Sequence, residues 1–358
     1  MENKEFDKYL TYDEKNKNIK IAVAMSGGVD SSTVAYILKK QGYDIFGVTM
    51  RTCGLEDQDA DKVCKDLGIK HYILDATKEF KEKVMDYFLD EYMHGRTPNP
   101  CMVCNKHIKF GALLDFAREK GADFMATGHY AQIKDGALVM GDDQNKDQVY
   151  FLSQIKKENI KYIMFPIGNL EKPKVRELAQ MLGVRVYAKK DSQEICFVED
   201  GKLKEYLTEK SNGKAQKPGN IVTTTGKVLG KHKGLPFYTI GQRKGIGVSL
   251  AKPIYVVKLD QKTNSIVVGD NELLFKKSLL ANKINLLTVD KLEELNGMEC
   301  WAKTRSKDKL HRCKLEVVNG ENIKVNFLND PVRAITPGQG VVFYDDGHAV
   351  IASGFIVE

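Results

Sequence analysis

Two patterns of apolar residues alternate along the first half of the chain. Continuous apolar runs at 19–25, 43–50 and 70–76 are typical of strands that are buried on both faces of a parallel sheet. Between the runs, apolar residues recur at helical spacing, for example at Val34 and Leu38. Strands that alternate with helices predict an α/β fold, a doubly wound parallel sheet with right-handed crossovers.

The pattern changes after about residue 205. The next stretch is rich in glycine and lysine with short β-type runs, and from about residue 276 strand-like pieces alternate with turn residues. The first stretch predicts a small mixed domain and the second a C-terminal β-barrel. We therefore predict an N-terminal extension at 1–18, a catalytic α/β domain at 19–205, a small central domain at 206–275 and a barrel at 276–358.

The composition fits a globular protein of the cytoplasm. Of 358 residues, 42% are hydrophobic, and no window approaches the roughly 18 apolar residues that a membrane span requires. The N-terminus mixes acids with lysines and lacks the apolar stretch of a secretory signal, so we expect a short disordered or surface-docked lead-in. Seven scattered cysteines favour reduced thiols over a disulfide scaffold. The formal charge of +7 does not by itself require a nucleic-acid partner.

The segment SGGVDSS, at residues 26–32, follows the first predicted strand and opens the first predicted helix. Adjacent glycines let a backbone approach an anion closely, and a helix N-terminus directs N–H groups and a positive dipole end toward it. Asp30 is a candidate ligand for Mg²⁺, although an ordinary glycine-rich turn with a helix cap has a similar composition. The G-K-[ST] ending of a Walker A loop is absent. The segment does match the S-G-G-x-D-S-S pyrophosphate loop of the PP-loop ATP pyrophosphatases, which predicts an ATP site.

Two cysteines, Cys101 and Cys104, lie in the stretch TPNPCMVCNK. Their spacing fits half of a zinc site, a redox pair of the thioredoxin type, iron–sulfur ligands, or a catalytic thiol with a neighbour. The two prolines stiffen the approach, which suits a positioned reactive group. Three basic residues that follow would lower the pKa of a thiol: Lys106, His107 and Lys109.

Seven motifs, in one order from about residue 19 to the C-terminus, resemble those of the bacterial tRNA-specific 2-thiouridylases (the MnmA/TrmU family). They are SGGVDSS, TPNPCMVCNKHIKF, ATGHYA, KDQVYFL, DSQEICF, YTIGQRKGIG and TPGQGVVFYDD. The resemblance implies that Cys104 is the nucleophile and that Cys196, in DSQEICF, carries a persulfide. From composition alone, Cys196 is equally well a buried packing residue between Ile195 and Phe197.

The resemblance also implies three sets of binding residues. The expected ATP contacts are Ala24, Met25, Ser26, Gly27, Gly28, Val29, Asp30, Ser31, Met50 and Gly128. The expected contacts to the target base are Asn99, Pro100 and Cys101. The expected tRNA contacts are His129, Lys146, Asp147, Gln148, Arg305, Ser306 and Gln339, together with the central domain.

The reaction that the resemblance implies is ATP-dependent 2-thiolation of the wobble uridine (U34) of tRNA. ATP, with Mg²⁺, would adenylate O2 and release pyrophosphate into the loop at 26–32, and sulfur from the Cys196 persulfide would then replace AMP. Cys104 would resolve the persulfide and leave a Cys104–Cys196 disulfide for reduction. The implied partners are tRNAs for Lys, Glu and Gln and a cysteine desulfurase or sulfur-relay protein.

One departure from the family pattern keeps alternatives open. Many members have Asp where this chain has Cys101, and that Asp is assigned a catalytic role. Cys101, Cys104 and Cys196 would alternatively hold a [4Fe–4S] cluster for tRNA thiolation. Two other hypotheses stay open. One is another PP-loop adenylating ligase, and the other is a non-catalytic RNA-binding or sulfur-carrier protein. The intact loop at 26–32 weighs against the non-catalytic protein.

Overall fold

The computed structural model describes residues 4–52, 58–189, 195–248 and 252–357. Cys53 and residues 191–194 of the DSQEICF motif therefore lie outside the described part. The chain divides into two compact units, which we describe one at a time. The first comprises Met1–Lys83, Val103–Gln193 and Gly347–Val350, and the second comprises Val84–Met102, Glu194–Asp346 and Ile351–Glu358.

The regular elements of the described residues are numbered in chain order. The helices are α1 Asp7–Leu10, α2 Val29–Lys40, α3 Gln58–Asp66, α4 Thr77–Phe80, α5 Asp86–Met93, α6 Pro100–Cys104, α7 Leu114–Glu119, α8 Val149–Leu152, α9 Lys172–Met181 and α10 Leu203–Lys210, with π-helical segments at Lys81–Met85 and Asn105–Leu113. Short 3₁₀ helices lie at Lys4–Phe6, Glu14–Asn18, Lys157–Tyr162, Lys214–Gln216, Leu235–Phe237, Asn271–Leu274 and Leu292–Leu295.

The strands are β1 Lys20–Ala24, β2 Asp44–Arg51, β3 His71–Asp75, β4 Phe124–Ala126, β5 Ala131–Lys134, β6 Ala137–Met140, β7 Ile163–Met164, β8 Gly219–Thr223, β9 Val228–His232, β10 Tyr255–Asp260, β11 Ser265–Gly269, β12 Phe275–Lys276, β13 Ser278–Leu286, β14 Glu299–Lys303, β15 His311–Val318, β16 Asn322–Phe327, β17 Val332–Arg333, β18 Gly340–Tyr344 and β19 Val350–Ile356.

A five-stranded parallel sheet forms the centre of the first unit, in the order β3-β2-β1-β4-β7. Its middle strand β1 has three consecutive fully buried residues, Ile21, Ala22 and Val23, as expected for a strand covered on both faces. The α/β prediction is confirmed. The chain leaves β1 toward β2 and later returns to β4 on the other side, so the carboxyl end of β1 lies at a topological switch point, where open α/β sheets bind ligands.

The N-terminal lead-in docks on this unit. Phe6 is fully buried and Tyr9 nearly so, and both belong to the core cluster that contains Ile37 and Leu38 of α2. The hydroxyl of Tyr9 also donates a hydrogen bond to Asn169 Oδ1 at 2.7 Å. Of the two expectations for this segment, surface docking is therefore the one that the described residues support.

The second unit contains a closed six-stranded barrel in the order β13-β16-β15-β14-β18-β19. Its strands carry alternating buried residues whose side chains fill the interior, which is how a small barrel forms a core without a free sheet edge. The predicted C-terminal barrel is confirmed. A separate four-stranded sheet in this unit has the order β10-β11-β8-β9. No helix among the described residues is long and apolar enough to cross a membrane.

Two helical segments, Lys81–Met85 and Asn105–Leu113, are π-helical rather than α-helical. The segment Asn105–Leu113 is π-helical and continues into α7. Gly111 helps to explain the change, because a Cβ at this position would lie 3.1 Å from the Lys106 carbonyl oxygen, the partner of an i→i+5 bond. Apolar periodicity does not distinguish the two ladders over so short a segment.

Candidate nucleotide site and reactive cysteines

The loop between β1 and α2 has the conformation of an anion-binding turn. Gly27 adopts a φ of +66°, which glycine reaches without strain, and Gly28 is the extended N-cap of the twelve-residue helix α2. The hydroxyls of Ser26 and Ser31 lie 3.2 Å apart at the mouth of the loop. Ser32 behaves differently, because its fully buried hydroxyl donates back to the Gly28 carbonyl at 2.8 Å and stabilises the first helical turn.

A cavity of about 230 Å³ opens at this loop. It is lined by residues of β1, β2 and β4 and the loops that follow them, of the first turn of α2, of the π-helical segment and of the residue before α8: Ala24, Met25, Ser26, Asp30, Ser31, Val48, Met50, Lys109, Leu113, Thr127, Gly128, His129 and Gln148. Seven of the ten expected ATP contacts are therefore brought together, whereas Gly27, Gly28 and Val29 shape the loop without lining the cavity.

Gly128 sets the width of the cavity. A Cβ at this position would lie 2.7 Å from the Ser31 backbone nitrogen and 2.8 Å from the Asp30 side chain. Only glycine lets the end of β4 pass so close to the first turn of α2. The hydroxyls, the helix N-terminus and this narrow gap are features that suit a phosphate-bearing nucleotide.

Asp30 is tied to the protein itself. Its two carboxylate oxygens each accept a hydrogen bond from Lys172 Nζ at 2.8 Å, and Oδ1 accepts another from the Tyr130 hydroxyl at 2.9 Å. Lys172 is almost fully buried at the start of α9, and its backbone N–H donates to Asp143. Sequence reasoning missed Lys172 and Tyr130. The role of Asp30 as a Mg²⁺ ligand remains a prediction.

His129 and Lys109 form a second polar group on the cavity wall. Lys109 Nζ lies 3.4 Å from His129 Nε2, and His129 Nδ1 lies 2.7 Å from Thr127 Oγ1. The His129 ring packs near Phe110 and Phe165, and burial, together with the Lys109 charge, lowers its pKa well below the ordinary value. His129 is therefore neutral. The expected contact of His129 with tRNA remains a prediction. In the structure His129 also lines the nucleotide cavity.

The TPNP sequence starts the helix that carries Cys101 and Cys104. Asn99 Oδ1 accepts a hydrogen bond from the Met102 N–H at 3.2 Å, and Pro100 is the first helical residue, where a missing N–H costs nothing. Asn99 and Pro100 are buried, so of the three expected contacts to the base only Cys101 is exposed. The contacts themselves stay predictions.

The cysteines differ in burial. Cys104 is 8% exposed and lies in the first unit, whereas Cys101 and Cys196 are exposed in the second. All of the described cysteines are thiols rather than disulfides. Of the basic residues expected to lower a thiol pKa, Lys106 contacts Gln154 Oε1 at 3.1 Å and Lys109 contacts His129. The described residues contain no group of three His, Cys, Asp or Glu that could hold a metal ion.

The remaining expected tRNA contacts organise loops. Gln339 Nε2 donates to the carbonyls of Thr97 and Pro98 at 2.9 and 3.2 Å, which fixes the start of TPNP within the second unit. Arg305 donates to the Ala334 carbonyl and to Thr336 in the barrel. Asp147 and Gln148 accept hydrogen bonds from backbone N–H groups of Gly141 and Tyr130, beside Lys146, and Ser306 is half-buried next to Arg305. None of these contacts tests tRNA binding.

Three family models match consecutive parts of the chain. Residues 19–200 match the model described as the tRNA methyl transferase HUP domain, residues 203–270 the tRNA methyl transferase PRC-barrel domain, and residues 276–356 the aminomethyltransferase beta-barrel domain. Together the models cover nearly all of the chain between β1 and β19.

Curated relatives match over nearly the whole chain. A tRNA-specific 2-thiouridylase of Fusobacterium nucleatum is 64% identical over 98% of this chain and 97% of its own. One of Clostridioides difficile is 45% identical over 95% of this chain and 98% of its own. A solved structure, the U34-tRNA thiolase NcsA of Methanococcus maripaludis with its [4Fe-4S] cluster, is 24% identical over 58% of this chain and 70% of its own, with a TM-score of 0.35. At that similarity the cluster is a property of NcsA alone.

Proposed function

Because the chain belongs to the tRNA-specific 2-thiouridylase family, we propose that it is a tRNA-uridine 2-sulfurtransferase that replaces the C2 oxygen of U34 by sulfur and converts ATP to AMP and pyrophosphate. The observation that carries the proposal is the match to 2-thiouridylases along 98% of the chain. The cavity at the carboxyl ends of β1, β2 and β4 supports the use of ATP.

The first step is adenylation of the base. Uridine O2 attacks the α-phosphorus, a bond from O2 to phosphorus forms, and the bond from phosphorus to the β-phosphate oxygen breaks. Pyrophosphate carries the negative charge away, and the N–H groups at the start of α2 stabilise it together with the Ser26 and Ser31 hydroxyls, which lie 3.2 Å apart. Mg²⁺ accompanies the ATP phosphates.

The second step transfers sulfur. The terminal sulfur of a Cys196 persulfide attacks C2, and AMP leaves with the former O2. The Cys104 thiolate then attacks Cys196 Sγ, which breaks the sulfur–sulfur bond, leaves the sulfur on C2 and joins Cys104 to Cys196. A thiol reductant reopens that disulfide, and a cysteine desulfurase or sulfur-relay protein reloads Cys196.

The substrate is tRNA, and we propose the acceptors for Lys, Glu and Gln. The uridine leaves its stack to bring C2 to the site, because the atom is inaccessible in a stacked loop. We propose four domains, at 1–18, 19–205, 206–275 and 276–358. The central domain at 206–275 contributes to tRNA binding. Seven further residues contribute with it: His129, Lys146, Asp147, Gln148, Arg305, Ser306 and Gln339.

The test is incubation of the protein with tRNA, ATP–Mg²⁺ and a persulfide donor, scored by the gel shift that thiolated tRNA undergoes in a thiol-binding gel. We expect a shifted band that requires ATP and disappears in Cys104→Ala and Cys196→Ala. Cys64→Ala, which removes a thiol packed behind the sheet, is the matched control and keeps the shift. No shifted tRNA under reducing, anaerobic conditions, with or without iron reconstitution, would contradict the proposal.

Two rival activities are separated by the same assay. AMP and pyrophosphate formation that survives both Cys104→Ala and Cys196→Ala, without thiolated product, indicates another PP-loop adenylating ligase. A shift that appears only after iron reconstitution, and is lost in Cys101→Ala, indicates a [4Fe–4S] cluster on Cys101, Cys104 and Cys196. The described residues contain no group of three His, Cys, Asp or Glu side chains that would support the cluster hypothesis.

A further inference from the structure

Lys109 projects a positive charge into the wall of the nucleotide cavity. The residue lies on the π-helical segment Asn105–Leu113, five positions after Cys104, and it lines the cavity with Ser26, Ser31 and Gly128. Neither the phosphate-loop motif nor the cysteine motif assigns it to the nucleotide.

The partner of Lys109 leaves this charge uncompensated. An ammonium group only donates hydrogen bonds, so His129 Nε2 must accept from Lys109 at 3.4 Å, and His129 Nδ1 carries the ring hydrogen that it donates to Thr127 Oγ1 at 2.7 Å. The imidazole is thus a neutral acceptor. Within the described residues no carboxylate forms an ion pair with Lys109.

Lys172, another lysine near the loop, provides the contrast. Its ammonium group contacts both carboxylate oxygens of Asp30 at 2.8 Å, so its charge is matched by an anion of the protein. A half-buried cation with only a neutral partner, in a cavity that suits a nucleotide, is instead matched by an anion of the ligand.

We propose that Lys109 is a catalytic residue of adenylyl transfer, whose ammonium group binds the non-bridging oxygens of the ATP α-phosphoryl group and is oriented by His129 and Thr127. The assignment rests on the proposed function for the identity of the reaction. The α-phosphoryl group is favoured over the pyrophosphate because the proposed reaction releases pyrophosphate to the loop after β1, whereas Lys109 lines the cavity from the segment that follows Cys104, the nucleophile expected to act at the base. As O2 bonds to phosphorus and pyrophosphate departs, the ammonium group stabilises the charge on the transferred group.

The first readout is binding, which requires no turnover. Isothermal titration with AMP and with adenosine isolates the contribution of the α-phosphate. We expect the wild-type protein to bind AMP roughly ten-fold or more tightly than adenosine, and Lys109→Met to lose that preference while its adenosine affinity is unchanged. Lys109→Arg, which keeps the charge, retains part of the preference. Lys120→Met, on an exposed lysine outside the cavity, is the control.

The second readout is single-turnover release of pyrophosphate with tRNA at saturating ATP. We expect Lys109→Met to be slower by about 100-fold to 1,000-fold, the range for the loss of one preorganised charge-stabilising donor, with an unchanged thermal midpoint. Equal AMP preference in wild type and Lys109→Met, or absence of any such preference in the wild type, would overturn the assignment. Wild-type protein that shows the AMP preference but never thiolates tRNA would refute the proposed function instead.

Discussion

The nucleotide cavity and the C-terminal barrel handle polar groups in opposite ways. At the cavity, an open parallel sheet ends in a helix N-terminus, two serine hydroxyls and a lysine whose partner is neutral. In the barrel, every strand pairs with neighbours around a closed ring, and Arg305 is held by a carbonyl and a hydroxyl of the same unit. Closure stabilises a fold by satisfying its own groups, whereas an open sheet leaves donors for a ligand.

Ion pairs provide the sharpest test of this difference. In Asp30→Asn the nearly buried Lys172 loses its anion, so we expect the free energy of unfolding to fall by about 3 kcal/mol, and Asp30→Asn with Lys172→Met to recover part of the loss. In the barrel pair of Arg312 and Asp346 the carboxylate is largely exposed, and Asp346→Asn should produce no measurable change. Urea denaturation measures all three variants. Equal stability of Asp30→Asn and wild type would remove the distinction.

Two glycines sharpen the comparison at the level of backbone packing. Gly128→Ala places a methyl group against the first turn of α2, so we expect ATP to bind about 30-fold more weakly, a loss of about 2 kcal/mol. Gly354→Ala in β19 would place its Cβ 2.6 Å from Ile284 Cδ1 and 2.9 Å from the Asn282 carbonyl. This variant should lose about 1–3 kcal/mol of stability and keep its ATP affinity. Calorimetric titration measures the ATP affinity of each variant, and thermal melting measures its stability. A Gly128→Ala variant that loses only stability, together with a Gly354→Ala variant that loses only ATP affinity, would refute this interpretation.

The cysteines of the barrel should be dispensable for chemistry. Cys300 and Cys313 face each other across β14 and β15 with their sulfurs 3.6 Å apart, and both are buried. Their contact and burial raise the pKa of the Cys300 thiol, which keeps it protonated and unreactive. We expect Cys300→Ala to cost about 1 kcal/mol of stability and to leave tRNA thiolation within two-fold of wild type. A loss of thiolation comparable to that of Cys104→Ala would contradict the division of roles.

The last comparison concerns Cys64, which resembles the barrel cysteines although it lies in the first unit. Its sulfur packs where Gly47 leaves room, and burial raises the pKa of the thiol from 9.0 to about 12. Between these values the folded state keeps a proton that the unfolded state has lost, so stability falls as pH rises, by up to about 1.4 kcal/mol per pH unit. Denaturation of wild type and Cys64→Ala at pH 8 and pH 10.5 measures the difference. Parallel pH dependence of the two proteins would refute the assignment.

The sequence predicted the parts of the fold that follow from periodicity. Continuous apolar runs indicated β1 and β2, because a strand buried on both faces has few polar positions, and short strand-like pieces separated by turn residues indicated the barrel. The loop at 26–32 was likewise predictable, from its glycines and its place between a strand and a helix, whereas Met50 and Gly128 were expected only from the family resemblance.

The sequence did not predict the partners that complete the cavity. Asp30 and Lys172 are 142 positions apart, and nothing local to α9 marks its first lysine as the partner of a loop carboxylate. The sequence suggested for Lys109 only that its charge, close to Cys104 along the chain, would lower the pKa of a thiol. Its place in the cavity depends on the π-helical ladder, and its uncompensated charge depends on the neutral state of His129, which is set by burial.

The π-helical segment makes chain length part of the site. Four residues separate Cys104 from Lys109. They begin the segment Asn105–Leu113, whose backbone hydrogen bonds have the i→i+5 spacing of a π-helix. Deletion of one of these residues would allow the usual α ladder and turn one side chain about 100° relative to the other. Working descendants of this sequence are therefore expected to tolerate substitutions between the two residues more readily than insertions or deletions.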